Sequence, residues 1–208
     1  MKRITIMLAA VLVLSVSAIA ATQATNTTTV SPTLTISATI QKAVSLTLST
    51  GTAAVSHCSV AVGGGPPDYT MNFGNVDALG VNAGNCNKFA PATPGTTDAI
   101  YWSDYTLTPV YTSHQASSNS KITAQVTTDF GTPNNIYIVR DTANSATVPA
   151  SVGSFTAMGT SSADQIASTV ASGTALTRYI GVGVKPTNSA TALQGAQSAT
   201  VTFTLTVQ

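Results

Sequence analysis

The stretch SATVTFTLTV, residues 198–207, alternates apolar and hydroxyl side chains without interruption. The apolar positions are Ala199, Val201, Phe203, Leu205 and Val207, and threonines occupy positions 200, 202, 204 and 206. Successive side chains of a β-strand point to opposite faces of the sheet. The stretch therefore predicts a strand with one buried and one exposed face.

The same alternation occurs near the start of the chain and weakens in between. Residues 33–40 place Leu34, Ile36, Ala38 and Ile40 on one face, and residues 44–48 resume the pattern. Further strands are predicted at 56–62, 69–73, 101–110, 121–129, 135–140 and 178–184, because these segments are rich in β-branched and aromatic residues and are separated by Gly, Pro and Asn clusters. We predict an all-β fold, an antiparallel Ig-like sandwich with Greek-key connections.

One helix is predicted within this β-rich chain, besides the one at the N-terminus. In residues 161–170, Asp164, Ile166 and Val170 lie near helical spacing. We expect a short helix there.

The first twenty residues have the layout of a secretory signal peptide. Lys2 and Arg3 precede an apolar run over residues 4–20, and Ala18-Ile19-Ala20 offers a small-x-small cleavage site. A retained membrane anchor is the alternative, but hydroxyl residues interrupt the run. We expect a signal peptide helix at 1–20, a flexible Thr-rich leader at 21–32 and a single β-sandwich domain at 33–208. After cleavage, no membrane span is predicted.

The composition favours an exported structural protein. Charged residues make up 7% of the chain and hydrophobic residues 43%, which is too hydrophobic for a disordered chain. Two of the eight Lys and Arg lie in the predicted signal, which leaves six against seven acids, all of them Asp. Such a surface attracts neither nucleic acid nor anionic lipid. We predict an extracytoplasmic location, secreted or at the cell surface or in the periplasm.

Cys58 and Cys86 are the two cysteines of the chain. In an exported protein such a pair predicts one disulfide. Free thiols or a metal site are the alternatives, yet His57 and His114 do not combine with the cysteines at a zinc-motif spacing. We expect no metal and no cofactor.

No catalytic constellation is recognisable in the sequence. There is no G-x-S-x-G elbow, and neither histidine lies in a known signature. Seven dispersed Asp and no Glu argue against a glycosidase. The cluster of Asn72, Asn75 and Asp77 lacks a calcium-loop pattern and is more typical of a solvated turn. We predict that the protein is not an enzyme.

Three aromatic residues form the alternative candidate site. Tyr101, Trp102 and Tyr105 lie close together around Asp104, and exposed rings of this kind stack on sugars. By alternation Trp102 faces one way, while the two tyrosines face the other, so at least one set must be buried. A core role is the favoured interpretation, and a ligand platform is the alternative.

Several segments together resemble the spore coat U-type and archaic chaperone–usher pilin-like proteins. They are the strand at 33–40, the cysteine that follows, the segment Met71-Asn72-Phe73-Gly74-Asn75-Val76, and the closing strand at 198–207. The resemblance implies Ig-like subunits that polymerise when an N-terminal segment of one subunit supplies a strand to the next. The implied donor residues are Leu34, Ile36, Ala38 and Ile40.

These observations predict an extracellular structural protein, a subunit of a pilus, coat or surface fibre that assembles by β-strand pairing. The expected partners are further copies or other surface subunits, together with a periplasmic chaperone. A small secreted carbohydrate- or ligand-binding module without catalysis is the alternative. Alternation alone does not decide between a strand that completes its own sheet and one that pairs with a neighbour.

Overall fold

The computed structural model describes residues 35–38, 43–63, 69–93, 95–112, 120–131, 135–186 and 195–207. The chain divides into two units, Met1–Thr39 and Ile40–Gln208. Residues 35–38, the described part of the first unit, lie in no helix or strand. The predicted signal peptide and the leader lie outside the described residues, as do positions 34 and 40 of the predicted donor strand.

The described part of the second unit consists of strands and the loops between them, with one 3₁₀ turn at Val152–Ser154. The strands are β1 (Ala43–Thr50), β2 (Ser59–Val62), β3 (Tyr69–Asn72), β4 (Asn87–Phe89), β5 (Ala99–Thr112), β6 (Lys121–Thr128), β7 (Ile136–Asp141), β8 (Phe155–Ala157), β9 (Asp164–Ser168), β10 (Leu176–Val184) and β11 (Thr200–Thr206). The prediction of an all-β fold is confirmed.

Every strand pair is antiparallel. The large sheet has the order β1-β5-β10-β7-β8, and β4 pairs with the same edge of β5 as β1 because β10 occupies the other edge. The small sheet has the order β11-β6-β9, and β2 and β3 form a separate hairpin. The architecture is consistent with an antiparallel β-sandwich.

The core lies between the large and the small sheet. Tyr105 and Leu107 of β5 belong to the same buried cluster as Ile122 and Ala124 of β6 and Ile166 of β9. A second cluster covers the outer face of the large sheet, where Trp102, Val139, Phe155 and Tyr179 lie together with Ile100. Residues 99–107 of β5 are therefore buried on both faces.

The predicted short helix at 161–170 is wrong. Residues 164–168 form β9, which pairs with β6. The register shifts between Ile122 and Thr123, and both Ile166 and Ala167 are buried. Pairing with a buried neighbour outweighs a weak local spacing, because strand formation depends mainly on packing context.

The other predicted strands of this unit are present with bounds shifted by at most three residues, whereas the short strands β4 and β8 were not predicted. Among the described residues, none forms a helix long and apolar enough to cross a bilayer.

Candidate functional site

Two strands, β1 and β11, lie at the edges of their sheets and approach each other across the sandwich. Within the described ranges, β1 pairs with β5 alone and β11 with β6 alone. Each strand therefore has one edge whose N–H and C=O groups are open to pairing with a further strand.

The inward faces of these edge strands are only half-buried. Leu46 and Leu48 of β1 remain partly exposed, and so do Val201 and Phe203 of β11. By contrast, Ile122 of the neighbouring strand β6 is completely buried. The core is therefore incompletely covered on the side where β1 and β11 face each other.

An apolar groove of about 140 Å³ extends into this side of the sandwich. Its lining includes Leu48, Met71, Ile180, Val201 and Phe203, and no described residue of the lining is charged. Tyr105 forms part of the groove, with its ring centroid 5.2 Å from that of Phe203. The groove can accept apolar side chains but has no charge with which to bind an ion.

The two edge strands also lack the usual protection against pairing. The sequences of β1, AVSLTLST, and of β11, TVTFTLT, contain no charged residue and no proline. Edge strands of soluble proteins commonly carry Lys, Pro or inward-pointing charges that prevent association. Neither β1 nor β11 contains such a residue.

Two residues of the predicted donor set are described. Ile36 and Ala38 are exposed, and 83% of the Ile36 surface is accessible. Leu34 and Ile40 lie outside the described residues. An isoleucine exposed to this extent is available for contact with another molecule.

The predicted disulfide between Cys58 and Cys86 is confirmed, with 4.4 Å between the two Cα atoms. It joins the residue before β2 to the residue before β4. The Cys58 backbone N–H donates a hydrogen bond to Ser103 Oγ at 3.3 Å, which ties the bridge to β5. A formed disulfide fits an oxidising, extracytoplasmic compartment.

The aromatic trio does not form a ligand platform. Tyr101, Trp102 and Tyr105 are 0%, 4% and 1% exposed, so none offers a ring face to a sugar. Trp102 stacks on Phe89 at 5.7 Å on the outer face of the large sheet, whereas the tyrosines point into the sandwich. Burial raises the pKa of Tyr101 to about 12. Trp102 on one face of β5 and the two tyrosines on the other are all core residues, because both faces of the strand are covered.

The loop after β3 satisfies its own polar groups. The Asp77 carboxylate accepts backbone hydrogen bonds from Leu79, Val81 and Asn82 at 2.8, 3.1 and 2.6 Å. Desolvation by burial raises the pKa of Asp77, but these hydrogen bonds outweigh it and lower the pKa below its ordinary value. Lys88 Nζ donates to the carbonyl oxygens of Gly80 and Asn82, each at 2.8 Å. The carboxylate is thus used by the turn itself, in agreement with its interpretation as a structural turn.

One pair of residues that sequence reasoning missed has the geometry of part of a catalytic triad. His57 Nδ1 lies 2.6 Å from Oδ1 of the fully buried Asp104. The other carboxylate oxygen accepts the Ala53 N–H at 2.8 Å. In the described part of the chain no hydroxyl hydrogen-bonds to the remaining imidazole nitrogen of His57.

Asp104 instead fixes the segment between β1 and β2 against the outer face of the large sheet. Its two partners, 47 and 51 residues away in sequence, share no periodic pattern with it. The second histidine, His114, lies outside the described residues.

No family model, curated protein or solved structure matches this chain.

Proposed function

We propose that the protein is an extracytoplasmic structural subunit of a surface fibre, pilus or coat, and that copies assemble by β-strand pairing. One observation carries the proposal: an apolar groove, lined by β1, β3, β11 and the inner face of the large sheet, is incompletely covered beside the uncharged edge strands β1 and β11. In such an assembly, a strand from another copy pairs with an open edge and places its apolar side chains in the groove.

The segment at 33–40 is the donor in this proposal. Leu34, Ile36, Ala38 and Ile40 are spaced by two residues, so an extended conformation places all four on one face. The groove presents inward side chains with the same spacing, at Ala199, Val201 and Phe203. In this proposal, apolar side chains of the donor segment pack against these groove residues.

In this proposal, burial of apolar side chains stabilises the contact between copies, and attraction between charges does not. Burial of one large aliphatic side chain contributes about 1.5–3 kcal/mol. Several such side chains are needed, because ordering each residue of the donor segment costs roughly 1–2 kcal/mol in backbone entropy. Loss of a single donor side chain, or its replacement by a charge, therefore weakens assembly strongly.

A free subunit with this groove exposes apolar surface and open strand edges, which favour aggregation. We include a periplasmic chaperone in the proposal for this reason, as a partner that covers the groove before assembly. The disulfide and the signal-like N-terminus support export.

The test uses the chain without residues 1–20 and two matched variants. Ile36→Lys places a charge on the apolar face of the donor segment, and Ser37→Lys places the same charge on the opposite face. Because both residues are exposed, neither change should alter the unfolding midpoint of the monomer. Size-exclusion chromatography with light scattering then measures the oligomers.

We expect concentration-dependent oligomers for the unmodified chain and for Ser37→Lys, and monomers for Ile36→Lys. If the unmodified chain is monomeric at all concentrations, or if Ile36→Lys assembles like Ser37→Lys, donation by this segment is wrong.

A further inference from the structure

A second concavity lies on the β9 side of the small sheet, away from β11. It has a volume of about 480 Å³ and is lined by Asn144, Gln165, Ser168, Thr169, Thr174 and Arg178, among others. This volume is within the range of small-molecule sites, about 300–1,000 Å³. The groove described above contributes no residue to it.

One residue with a strained backbone, Thr169, lies in the lining of this cleft. In the described ranges, two non-glycine residues have a positive φ, Asn144 at 49° and Thr169 at 55°, and both line the cleft. For a β-branched residue such as Thr169 this conformation is an outlier. Strain of this kind costs about 1–3 kcal/mol and is most often retained at functional sites.

Hydrogen bonds hold both Thr169 and Asn144 in place. The Thr169 N–H donates to the Ser120 carbonyl at 2.7 Å. Asn144 accepts from Arg140 Nη1 at 2.8 Å and donates through Nδ2 to the Gln165 carbonyl at 2.6 Å. The two sides of the cleft are therefore fixed independently of any ligand.

The rim at 170–174 is also tied to the end of β5. The Gly173 N–H donates to the Pro109 carbonyl at 2.7 Å, and Tyr111 Oη donates to the Val170 carbonyl at 2.6 Å. Ser172 Oγ both donates to and accepts from the Tyr111 backbone, at 3.0 and 2.9 Å. A rim ordered in advance loses little entropy when a ligand binds.

The charge of the cleft favours a monoanion. Among the described residues that line the cleft, Arg178 is the one that carries a charge. Its Nε and Nη1 donate to the Ile166 and Thr177 carbonyls at 3.3 and 2.8 Å. A guanidinium has five N–H donors, and these bonds use two of them. The nearby carboxylate of Asp141 interacts with Arg178 and offsets part of its charge.

The remaining polar lining suits hydroxyl groups. Gln165, Ser168, Thr169 and Thr174 are exposed and uncharged, and no aromatic residue lines the cleft. Amide and hydroxyl side chains can donate to and accept from a sugar hydroxyl.

We propose that this cleft binds an acidic sugar residue, with the Arg178 guanidinium on the sugar carboxylate and the amide and hydroxyl side chains on its hydroxyls. The planar guanidinium fork matches a carboxylate. The site does not depend on strand donation, because none of its residues lies in the donor segment, β1 or β11.

Calorimetric titration tests the proposal. The protein is the monomeric Ile36→Lys variant, or the unmodified chain if that is monomeric. The three probes are a trigalacturonate, a neutral trisaccharide of the same size and acetate. We expect saturable binding of the trigalacturonate alone. Arg178→Gln should weaken it at least about tenfold, since a charge-assisted hydrogen bond is lost. The control Lys185→Gln removes the same charge at the far end of β10, where Lys185 lies over the Tyr137 ring, and should bind normally.

A second variant, Thr174→Trp, fills the cleft from an exposed loop position and leaves Arg178 intact, so it keeps the test valid if Arg178→Gln does not fold. It should abolish binding. The proposal is overturned if the trigalacturonate does not bind, if acetate or the neutral trisaccharide binds equally well, or if a folded Arg178→Gln or Thr174→Trp variant binds like the unmodified protein.

Discussion

At the end of β7, the Asp141 side chain places a carboxylate in the protein interior, where 4% of the residue is exposed. Neither carboxylate oxygen has a close hydrogen-bond partner among the described residues. Burial raises the pKa of Asp141 to about 6, although Arg178, Arg140 and the backbone N–H groups of Asp141 and Tyr179 favour the charged form and act to lower it. The ionised form is therefore poorly solvated at neutral pH.

This environment predicts that Asp141→Asn stabilises the protein near neutral pH. The folded pKa of about 6 lies above the ordinary value of 3.8, so the folded state binds the proton more tightly. The contribution of this group to stability is present below about pH 4 and is lost as the pH rises through about 6. The difference corresponds to about 3 kcal/mol at most.

Urea denaturation of both proteins at about pH 4 and about pH 7 measures the effect. The variant should be more stable than the unmodified protein at the higher pH and equal to it at the lower pH. Comparing the two proteins at each pH cancels the titration of groups they share, such as Asp77. Lower stability of the variant at neutral pH would show that the ionised carboxylate is favourably paired.

At the residue scale, sequence reasoning succeeded where a single chemical rule applied. Two cysteines in a chain with a predicted export signal predict a disulfide, and Cys58 and Cys86 form one. It could not find the pair of His57 and Asp104, because the pair depends on how the segment after β1 crosses the sheet. The alternation correctly placed Trp102 on one face of β5 and Tyr101 and Tyr105 on the other. It could not show that both faces of the strand are covered by other residues.

At the element scale, long alternating or strongly β-prone segments were predicted well, including β5, β6, β10 and β11. The strands β4 and β8 have three residues each, which is too short for a periodic signal. β9 is short and polar, and its strand conformation depends on pairing with β6. A strand is predicted at 33–40, but its described part, residues 35–38, lies in no strand and is exposed, so the alternation there is not accompanied by pairing within the described chain.

The open groove predicts unequal costs for two directly paired residues. Leu205 of β11 lies opposite Ile122 of β6, but Ile122 is fully buried and Leu205 is only partly so. In the monomeric Ile36→Lys background, Ile122→Ala should destabilise by about 3–4 kcal/mol, within the range for large buried residues. Leu205→Ala should cost about half as much, because part of its surface is already exposed.

Urea denaturation of the two alanine variants in that background gives both values. Equal losses would indicate that β11 is as well covered as β6 and that the groove is closed in solution. In the assembled state, heat dissociation of Val201→Ala oligomers should require a lower temperature than that of the unmodified oligomers, because Val201 lines the groove and a donated strand would bury it further.

At the scale of the whole molecule, the two sides of the sandwich differ in chemistry. The side between β1 and β11 has an apolar, uncharged groove, whereas the β9 side has a polar cleft with one arginine. The composition predicted that the chain has few charges, but not where those charges lie. The topology of the whole fold determines which strands lie at the edges of the sheets. No local pattern indicated the cleft, since its lining comes from the loop after β7, from β9 and from β10.

The distribution of charge leads to a prediction about assembly. Strands β1 and β11 and the groove lining contain no charged residue, and charged residues make up only 7% of the chain. Salt screens attractions between exposed charges, with a Debye length of about 3 Å at 1 M, but does not weaken apolar burial or backbone pairing. The fraction of oligomer should therefore be unchanged or higher in about 1 M NaCl than in low-salt buffer. Light scattering at matched protein concentration measures it, and dissociation into monomers at high salt would mean that charged surfaces outside the groove hold the copies together.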